Sequence, residues 1–263
     1  MTIRRVLSSN ADPADYLTGA NLAFGNWGDE QTFAWAFRGG EIVFLDDERG
    51  RPVAASGINY RTLVDGMPIA IISGAWTSLA ARGTGAFARL IEATHLAARE
   101  RHATTIAFGR MDNISRRRVE DAGAQITATF YCRSLPQGEP EEPPASLDHL
   151  EGGLYTFPSS FCYTSEEWRR QFLERPRATI ECVGRQGEWA AIVERAADFD
   201  RVHAVTHEAA LPLLAARAHA EGRRLFWFAL TPPSLPCEWT DGFLSTFPPA
   251  DVTAWSLQNG DRM

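Results

Sequence analysis

Two closely spaced glycines beside an arginine form the part of this sequence best suited to bind an anion. They lie in "SLAARGTGAF", residues 78–87, where Arg82, Gly83 and Gly85 directly precede a segment with helical periodicity. Such a loop exposes backbone N–H groups at the positive end of a helix dipole, which attracts phosphate. Glycine lets the backbone approach a ligand closely, and arginine can donate two hydrogen bonds to a phosphate. Because short glycine patterns also occur in turns that bind nothing, a second feature must support the loop.

An asparagine ten residues before a glycine is that second feature. It lies in "DNISRRRVEDAGA", residues 112–124, after the next predicted strand. Together the two segments resemble the GNAT superfamily of acyl-CoA-dependent N-acyltransferases, whose phosphate loop reads R/Q-x-x-G-x-G/A and whose following helix carries an Asn about ten residues before a Gly-Phe pair. Arg82 and Gly85 match the loop, and Asn113 and Gly123 match the pair's spacing. The resemblance covers roughly residues 20–133.

The resemblance implies an acyltransferase that moves an acyl group from a pantetheine thioester, such as acetyl-CoA or a longer acyl-CoA, to the amine of a small molecule. It implies no metal. In such enzymes the strand before the loop pairs with pantetheine and the loop amides hold the pyrophosphate. The thioester carbonyl would lie against a strand N–H near Trp76 or Thr77, which would polarise it. The positions implied to bind the donor are Ala75, Trp76, Thr77, Leu79, Arg82, Gly83, Thr84, Gly85, Ala86, Phe87 and Asn113.

The sequence departs from the family pattern at three places, of which Ala124, in place of the aromatic residue that usually follows the glycine, is the mildest. Phe87 stands where the loop usually has glycine or alanine, and its side chain either narrows the loop or turns into the core. Val119 stands where many relatives have a tyrosine that protonates the leaving thiolate. Either another group donates that proton, or the thiolate leaves unaided because its conjugate acid has a pKa of about 8–9. The candidates for the general base are Asp112, Ser115 and Tyr131, with a water relay as the alternative.

The elements that must position these residues follow from hydrophobic periodicity. Before residue 137 the patterns predict two short helices, three strands, a helix, a strand, a helix and a strand. The third strand, "MPIAIISGAWTSL" at residues 67–79, leads directly into the glycine loop. With this order, the resemblance implies an α/β (α+β) fold made of two tandem GNAT-like domains, each a mixed, mostly antiparallel sheet flanked by helices.

A segment rich in proline and glutamate divides the chain. It is "SLPQGEPEEPPASLDHLE", residues 134–151, and its composition is typical of a linker. We predict an acyl donor-binding GNAT-like domain at 1–136, a linker at 137–150, and a degenerate GNAT-like domain at 151–263.

The element order of the first region recurs in the second. A helix that we expect Ser165 to cap precedes three strands, a helix, and strands near "RRLFWFAL" and "ADVTAWSL". The position of the phosphate loop, "VTHEAALPL", contains no glycine and carries Glu208, which repels an anion. We therefore expect only the first domain to bind the donor, and the second to shape the acceptor pocket or cover the cleft.

Composition excludes several classes of function. All 26 basic residues are arginine, which excludes a lysine nucleophile or Schiff base. The net charge of −7 arises after residue 136, where 11 arginines face 19 acids, so we expect no nucleic-acid partner. The four cysteines have no C-x-x-C spacing, and we expect no metal site. No apolar run approaches ~20 residues and no signal sequence is evident, so we expect a cytoplasmic protein without a membrane partner.

Two alternatives to an acyl-CoA-dependent enzyme stay open. The donor can be an acyl or aminoacyl group on the phosphopantetheine of an acyl or peptidyl carrier protein, because the altered loop and the missing acid fit a donor without the adenine nucleotide. The chain can also be a non-catalytic sensor module that binds acyl-CoA. The first alternative changes the donor, whereas the second removes turnover.

Overall fold

The structure is a computed structural model that describes residues 1–136, 144–147 and 156–262. Most of the predicted linker, 137–150, lies outside the described residues. The division into domains at 1–136 and 151–263 therefore stays a prediction.

Contacts between Cα atoms divide the described chain into two compact units. The first unit holds residues 1–127 and 243–252, and the second unit holds residues 128–242 and 253–262. A late segment of the chain thus packs with the first unit, although more than a hundred residues separate it from the rest of that unit.

The first unit is a mixed sheet with helices on both faces. Strands β1 to β4 pair antiparallel in chain order, and β4 pairs parallel with β5. Its elements up to residue 121 are β1 (Thr2–Leu7), α1 (Pro13–Phe24), α2 (Glu30–Ala36), β2 (Glu41–Asp46), β3 (Pro52–Thr62), β4 (Pro68–Thr77), α3 (Ala86–Glu100), β5 (Thr104–Arg110) and α4 (Ile114–Asp121).

The second unit repeats the same kind of sheet. Its strands lie in the order β6-β11-β10-β9-β8-β7, in which only the β10–β11 pair is parallel among the described pairings. The remaining elements are β6 (Gln125–Ser134), β7 (Ala145–Ser146), α5 (Ser165–Phe172), β8 (Thr179–Arg185), β9 (Trp189–Arg195), β10 (Phe199–Val205), α6 (Leu211–Ala220), β11 (Arg224–Ala229) and β12 (Cys237–Phe247).

Strand β2 shows why the first unit needs helices on both faces. All six of its residues are buried, as expected of a central strand that is covered on both sides. Ile42 and Phe44 pack among the aromatic residues of α1 and α2, whereas Val43 and Leu45 pack against α3. This layering fixes the position of α3, whose N-terminus carries the glycine loop.

The predicted element order is confirmed except that β1, β7 and β12 were not predicted, that β7 lies within the predicted linker, and that the strand predicted at 250–257 is absent. The prediction omitted β1, because "TIRRVL" is an edge strand with few apolar residues. Ion pairs hold β1 on β2, with Arg4 Nε 2.7 Å from Asp46 and Arg5 Nη2 3.0 Å from Glu41. The cap of α5 is Thr164 instead of Ser165, since Thr164 and Glu167 form a reciprocal capping box.

The last strand was also predicted in the wrong place. The segment "ADVTAWSL", residues 250–257, forms no strand, and β12 precedes it at Cys237–Phe247. The first half of β12 is polar and exposed, which is typical of a loop in sequence. Its second half is buried in the first unit beside β5, where Thr105 Oγ1 donates a hydrogen bond to the Phe247 carbonyl at 3.0 Å.

Candidate functional site

The candidate site of the first unit is the opening between β4 and β5. These strands pair over Ile69–Ile72 and Thr104–Ala107, and the pairing ends there. Strand β4 runs on to Thr77 and β5 to Arg110, while β3 stays paired with β4 along its other edge. The end of β4 therefore offers backbone N–H and C=O groups on the edge that faces the opening. A ligand built of amides can pair with such groups.

A bulge shapes β4 at the start of the opening. Gly57 pairs with Ser73, and Ala55 pairs with Trp76. Between these two pairs β4 therefore has one residue more than β3, which defines a β-bulge. Gly74 lies at the bulge with a φ of +57°, a left-handed conformation that favours glycine. Its carbonyl accepts a hydrogen bond of 2.6 Å from the Tyr16 hydroxyl of α1. Burial raises the pKa of Tyr16 well above its usual value, so Tyr16 holds the bulge as a neutral donor.

Three consecutive side chains at the end of β4 carry buried polar atoms that have no hydrogen-bond partner among the described residues. These atoms are Trp76 Nε1, Thr77 Oγ1 and Ser78 Oγ. A buried polar atom without a partner costs about 1–3 kcal/mol, and such atoms are rare in folded proteins. Neighbouring side chains of a strand point to opposite faces, and Trp76 packs with Tyr16 in the core, so these atoms surround the end of β4 on both faces of the sheet.

The glycine loop ends at the start of α3. Gly83 and Gly85 have φ values of +78° and +80°, and a Cβ at either position would meet open space. The glycines are therefore required by the backbone conformation. Gly85 is the N-cap of α3 and supplies no side-chain cap, which leaves the first amides of this fifteen-residue helix available. Arg82 is exposed beside them.

The other predicted loop residues have structural environments that the sequence left open. The Thr84 hydroxyl donates a 2.7 Å hydrogen bond to the Ala81 carbonyl and closes the turn. Ala86 is buried under the loop, and Leu79 is 78% exposed in a 3-10 turn. Phe87 packs with the cluster around Ile91 and Phe243, so its side chain turns into the core and leaves the loop open.

The predicted residues on α4 have local roles. Asn113 is the N-cap of α4, and its Oδ1 accepts a hydrogen bond from the Ser115 amide at 3.0 Å. Asp112 is exposed and forms an ion pair of 2.9 Å with Arg110. Val119 is buried in the core, where no proton donor replaces the tyrosine that the resemblance implies at this position. The structure gives none of these residues a contact that only catalysis would explain.

Tyr131 belongs to the second unit, whereas Asp112 and Ser115 belong to the first. Its hydroxyl accepts a 2.7 Å hydrogen bond from Arg262 Nη2, and the Arg262 guanidinium lies 4.5 Å from the Tyr131 ring centre. Burial lowers the pKa of Arg262. Tyr131 thus holds a buried cation of its own unit.

Tyr16 was not predicted from the sequence, whereas Ser78 lies within the stretch 75–79 that the resemblance implies for pantetheine. Tyr16 and Ser78 contact or flank the bulge, although neither belongs to the glycine motif. The glycine inside the apolar run "IISGAW" was the available signal, because an isolated glycine in a strand often marks a bulge. The sequence did not indicate that a tyrosine of α1 would bond it.

The second unit contains a corresponding opening between β10 and β11. These parallel strands pair over Phe199–Arg201 and Arg224–Phe226 and then run on. Here the side chain of Gln258 is bound to the strand end, since its Oε1 accepts from the Val205 amide at 3.2 Å and its Nε2 lies 3.4 Å from the Val205 carbonyl.

The helix that follows this second opening differs from α3 at its N-terminus. A 3-10 turn, Glu208–Ala210, leads into α6, and it places an acidic residue just before the helix. Pro212 occupies the first turn of α6 and has no amide hydrogen to donate. A negative charge and a missing donor both oppose anion binding.

Two further features bear on the class of protein. In the part of the chain that the structure describes, no helix combines the length and the apolar character of a membrane span. Within the same residues, no three histidine, cysteine, aspartate or glutamate side chains converge as metal ligands would.

Several solved structures are similar to this chain over most of its length. A GCN5-related N-acetyltransferase from Anabaena variabilis has a TM-score of 0.61 and 12% identity, covering 92% of this chain and 72% of its own. The enzyme of this name from Kribbella flavida has a TM-score of 0.57 and 13% identity, covering 92% of this chain and 70% of its own. The one from Sphaerobacter thermophilus has a TM-score of 0.55 and 14% identity, covering 93% of this chain and 94% of its own. No protein-family model and no curated protein sequence matches. The predicted fold is confirmed: this chain has the fold of the GCN5-related N-acetyltransferase superfamily.

Proposed function

We propose that this chain, which has the GNAT fold, is an acyltransferase that takes an acyl group from a pantetheine thioester, with acyl-CoA as donor and the amine of a small molecule as acceptor. The observation that carries the proposal is the opening at the end of β4. Three features follow one another along the chain there: the unpaired edge of β4, the unpartnered polar atoms of Trp76, Thr77 and Ser78, and the N-terminus of α3, which has no side-chain cap.

The chemistry of a pantetheine thioester matches these groups one by one. Its arm is a chain of amides, which can pair with the free edge of β4. Its phosphates are anions, which the α3 amides, Arg82 and the helix dipole attract. The unpartnered hydroxyls of Thr77 and Ser78 can donate to further oxygen atoms.

Acyl transfer needs charge stabilisation at the thioester carbonyl more than it needs a strong acid. Attack by an amine places negative charge on the carbonyl oxygen, and a backbone N–H of β4 near the bulge can stabilise that charge. The leaving thiol has a pKa of about 8–9, so its thiolate is a tolerable leaving group without a donor at position 119. The amine attacks in its neutral form, and the ammonium nitrogen of the resulting tetrahedral intermediate can then lose its proton to water, which requires no dedicated base.

Titration calorimetry with acetyl-CoA and with longer acyl-CoAs tests the proposal. We expect binding of at least one thioester, and acylated product with a member of an amine panel, as detected by mass spectrometry. If no acyl-CoA binds, the proposal that acyl-CoA is the donor is wrong. Transfer from an acylated carrier protein would then identify the carrier-bound donor, and binding without turnover on any amine would identify a sensor.

A further inference from the structure

The opening of the second unit encloses a cavity of its own. The cavity has a volume of about 360 Å³ and lies at the ends of β10 and β11, beside the turn that leads into α6. This volume falls in the range of small-molecule sites, which begins at about 300 Å³. All of its lining residues belong to the second unit.

The lining combines aromatic rings with one negative charge. Trp227, Phe228 and Trp255 supply the rings, although the Arg262 guanidinium already lies 4.7 Å from the Phe228 ring centre. Glu208 is the one carboxylate among the described lining residues, and His207 lies beside it. No arginine lines the cavity, although the chain has 26. The cavity therefore disfavours anions and suits a neutral or positively charged ligand.

Among the described residues of its unit, Glu208 lacks an ion pair, as do Asp198 and Asp241, but only Glu208 of these three lines the cavity. Glu208 is exposed. In contrast, four acids nearby in the fold are held by arginines at 2.7–3.1 Å: Glu181, Glu194, Asp200 and Glu221. The carboxylate at the cavity is thus available to a cation from outside.

A pantetheine thioester does not fit this cavity. Gln258 already holds both backbone groups of Val205, which are the groups that an extended amide ligand would need. Pro212 removes a donor from α6, and Glu208 repels phosphate. The ligand must therefore differ in class from the donor proposed for the first unit.

We infer that the cavity between β10 and β11 is a second small-molecule site, which binds an organic cation with an apolar body. Tryptophan rings attract ammonium groups through cation–π interactions, and Glu208 adds a Coulombic attraction at the mouth. Val202, Leu211 and Leu257 line part of the cavity beside polar groups such as Thr206 and Asn259, and these apolar side chains contact the body of the ligand. The inference does not depend on acyl transfer by the first unit.

The test is titration calorimetry of the full chain with three probes of similar size: benzyltrimethylammonium, 2-phenylethanol and phenylacetate. The quaternary probe has no N–H, so an acyltransferase cannot acylate it and an acceptor role is removed. We expect benzyltrimethylammonium to bind at least about fivefold more tightly than 2-phenylethanol, and phenylacetate most weakly. Equal or tighter binding of phenylacetate would overturn the inference.

Two variants locate the site, and a third serves as their control. Glu208→Gln should abolish most of the preference for the cation, and Trp255→Leu should weaken the binding of all three probes. Glu188→Gln removes another exposed carboxylate, one that lies outside the cavity and 3.9 Å from Arg185, and it should leave every affinity unchanged. If Glu208→Gln binds the cation as tightly as Glu188→Gln does, the inference is wrong.

Discussion

The two openings of this molecule arise from the same local architecture and offer opposite chemistry. Both follow four antiparallel strands, both lie where a parallel pair separates, and both lead into a helix. In the first unit the strand edge is free and two glycines begin the helix. In the second unit Gln258 occupies the strand end, and an acid and a proline flank the helix start. The fold supplies the opening, but the side chains decide what can enter it.

The largest expected effect tests the loop of the first opening. Gly85→Asp places a carboxylate at the N-terminus of α3, where it repels the phosphates that the helix attracts, and we expect acyl-CoA affinity to fall at least about 100-fold. Titration calorimetry measures the change. Gly222→Asp is the matched control, since Gly222 also has a positive φ (+74°) and open space, but follows α6 in the second unit. Similar losses in both variants would show that backbone strain, and not charge, causes the effect.

The second prediction concerns the filled opening. Gln258→Ala leaves the Val205 amide and carbonyl without their side-chain partner, which should lower the free energy of unfolding by about 2 kcal/mol. Urea denaturation measures this change. Gln31→Ala, at an exposed position of α2, should change the same quantity by less than about 0.5 kcal/mol. Acyl-CoA affinity should be the same in both variants, and a loss confined to Gln258→Ala would contradict the separation of the two openings.

The third prediction uses a buried histidine in each unit. Burial lowers the pKa of His95 to about 4 and that of His203 to about 4. In the unfolded chain a histidine has a pKa of about 6.5, so between pH 6.5 and 4 the unfolded chain binds a proton and the native state does not. The free energy of unfolding therefore falls as the pH falls from 6.5 to 4. Each histidine should lower the free energy of unfolding at pH 5 by about 2 kcal/mol relative to pH 7.5.

Variants assign that pH dependence to the two units. His95→Phe keeps the aromatic stack on Phe247, whose ring centre lies 4.4 Å away, and His203→Gln keeps a polar partner for Glu194. Thermal unfolding between pH 5 and 7.5 should lose part of its pH dependence in either variant. An unchanged slope in both would contradict burial of neutral imidazoles.

The smallest expected effect concerns the bulge that distinguishes the first opening. Tyr16→Phe removes the hydrogen bond to the Gly74 carbonyl, worth about 1 kcal/mol, and we expect kcat to fall about fivefold with little change in KM for the donor. Tyr60→Phe removes a hydroxyl bound to Glu41 at 3.3 Å, away from the opening, and should leave kcat unchanged. A rise in KM at constant kcat would mean that Tyr16 supports donor binding instead of the reacting carbonyl.

Local patterns predicted the first opening well. The apolar run of β4, the glycines at 83 and 85 and the 3.6-residue period of α3 are neighbours in sequence, so their geometry depends on short-range preferences. The absence of such a loop before α6 was likewise visible in the sequence, because glycine, proline and charge act locally. The roles of Asp112, Ser115 and Tyr131 as bases were not predicted as firmly, and they stay hypotheses.

Long-range pairing explains what the patterns did not predict. Strand β1 forms ion pairs with residues about forty positions away. The second half of β12 packs in the first unit, although the other residues of that unit lie more than a hundred positions earlier in the chain. A strand with a polar half has no strong preference of its own, since β-propensity reflects the neighbours against which a strand packs.

The sequence by itself determined the class of fold and the place of the glycine loop before α3, because both depend on residues close together along the chain. Only the tertiary structure decided that Tyr16 bonds the bulge at Gly74 and that Gln258 fills the second opening. Each of these contacts joins residues more than fifty positions apart, and hydrogen bonds over such separations form only once the fold has brought the two elements together.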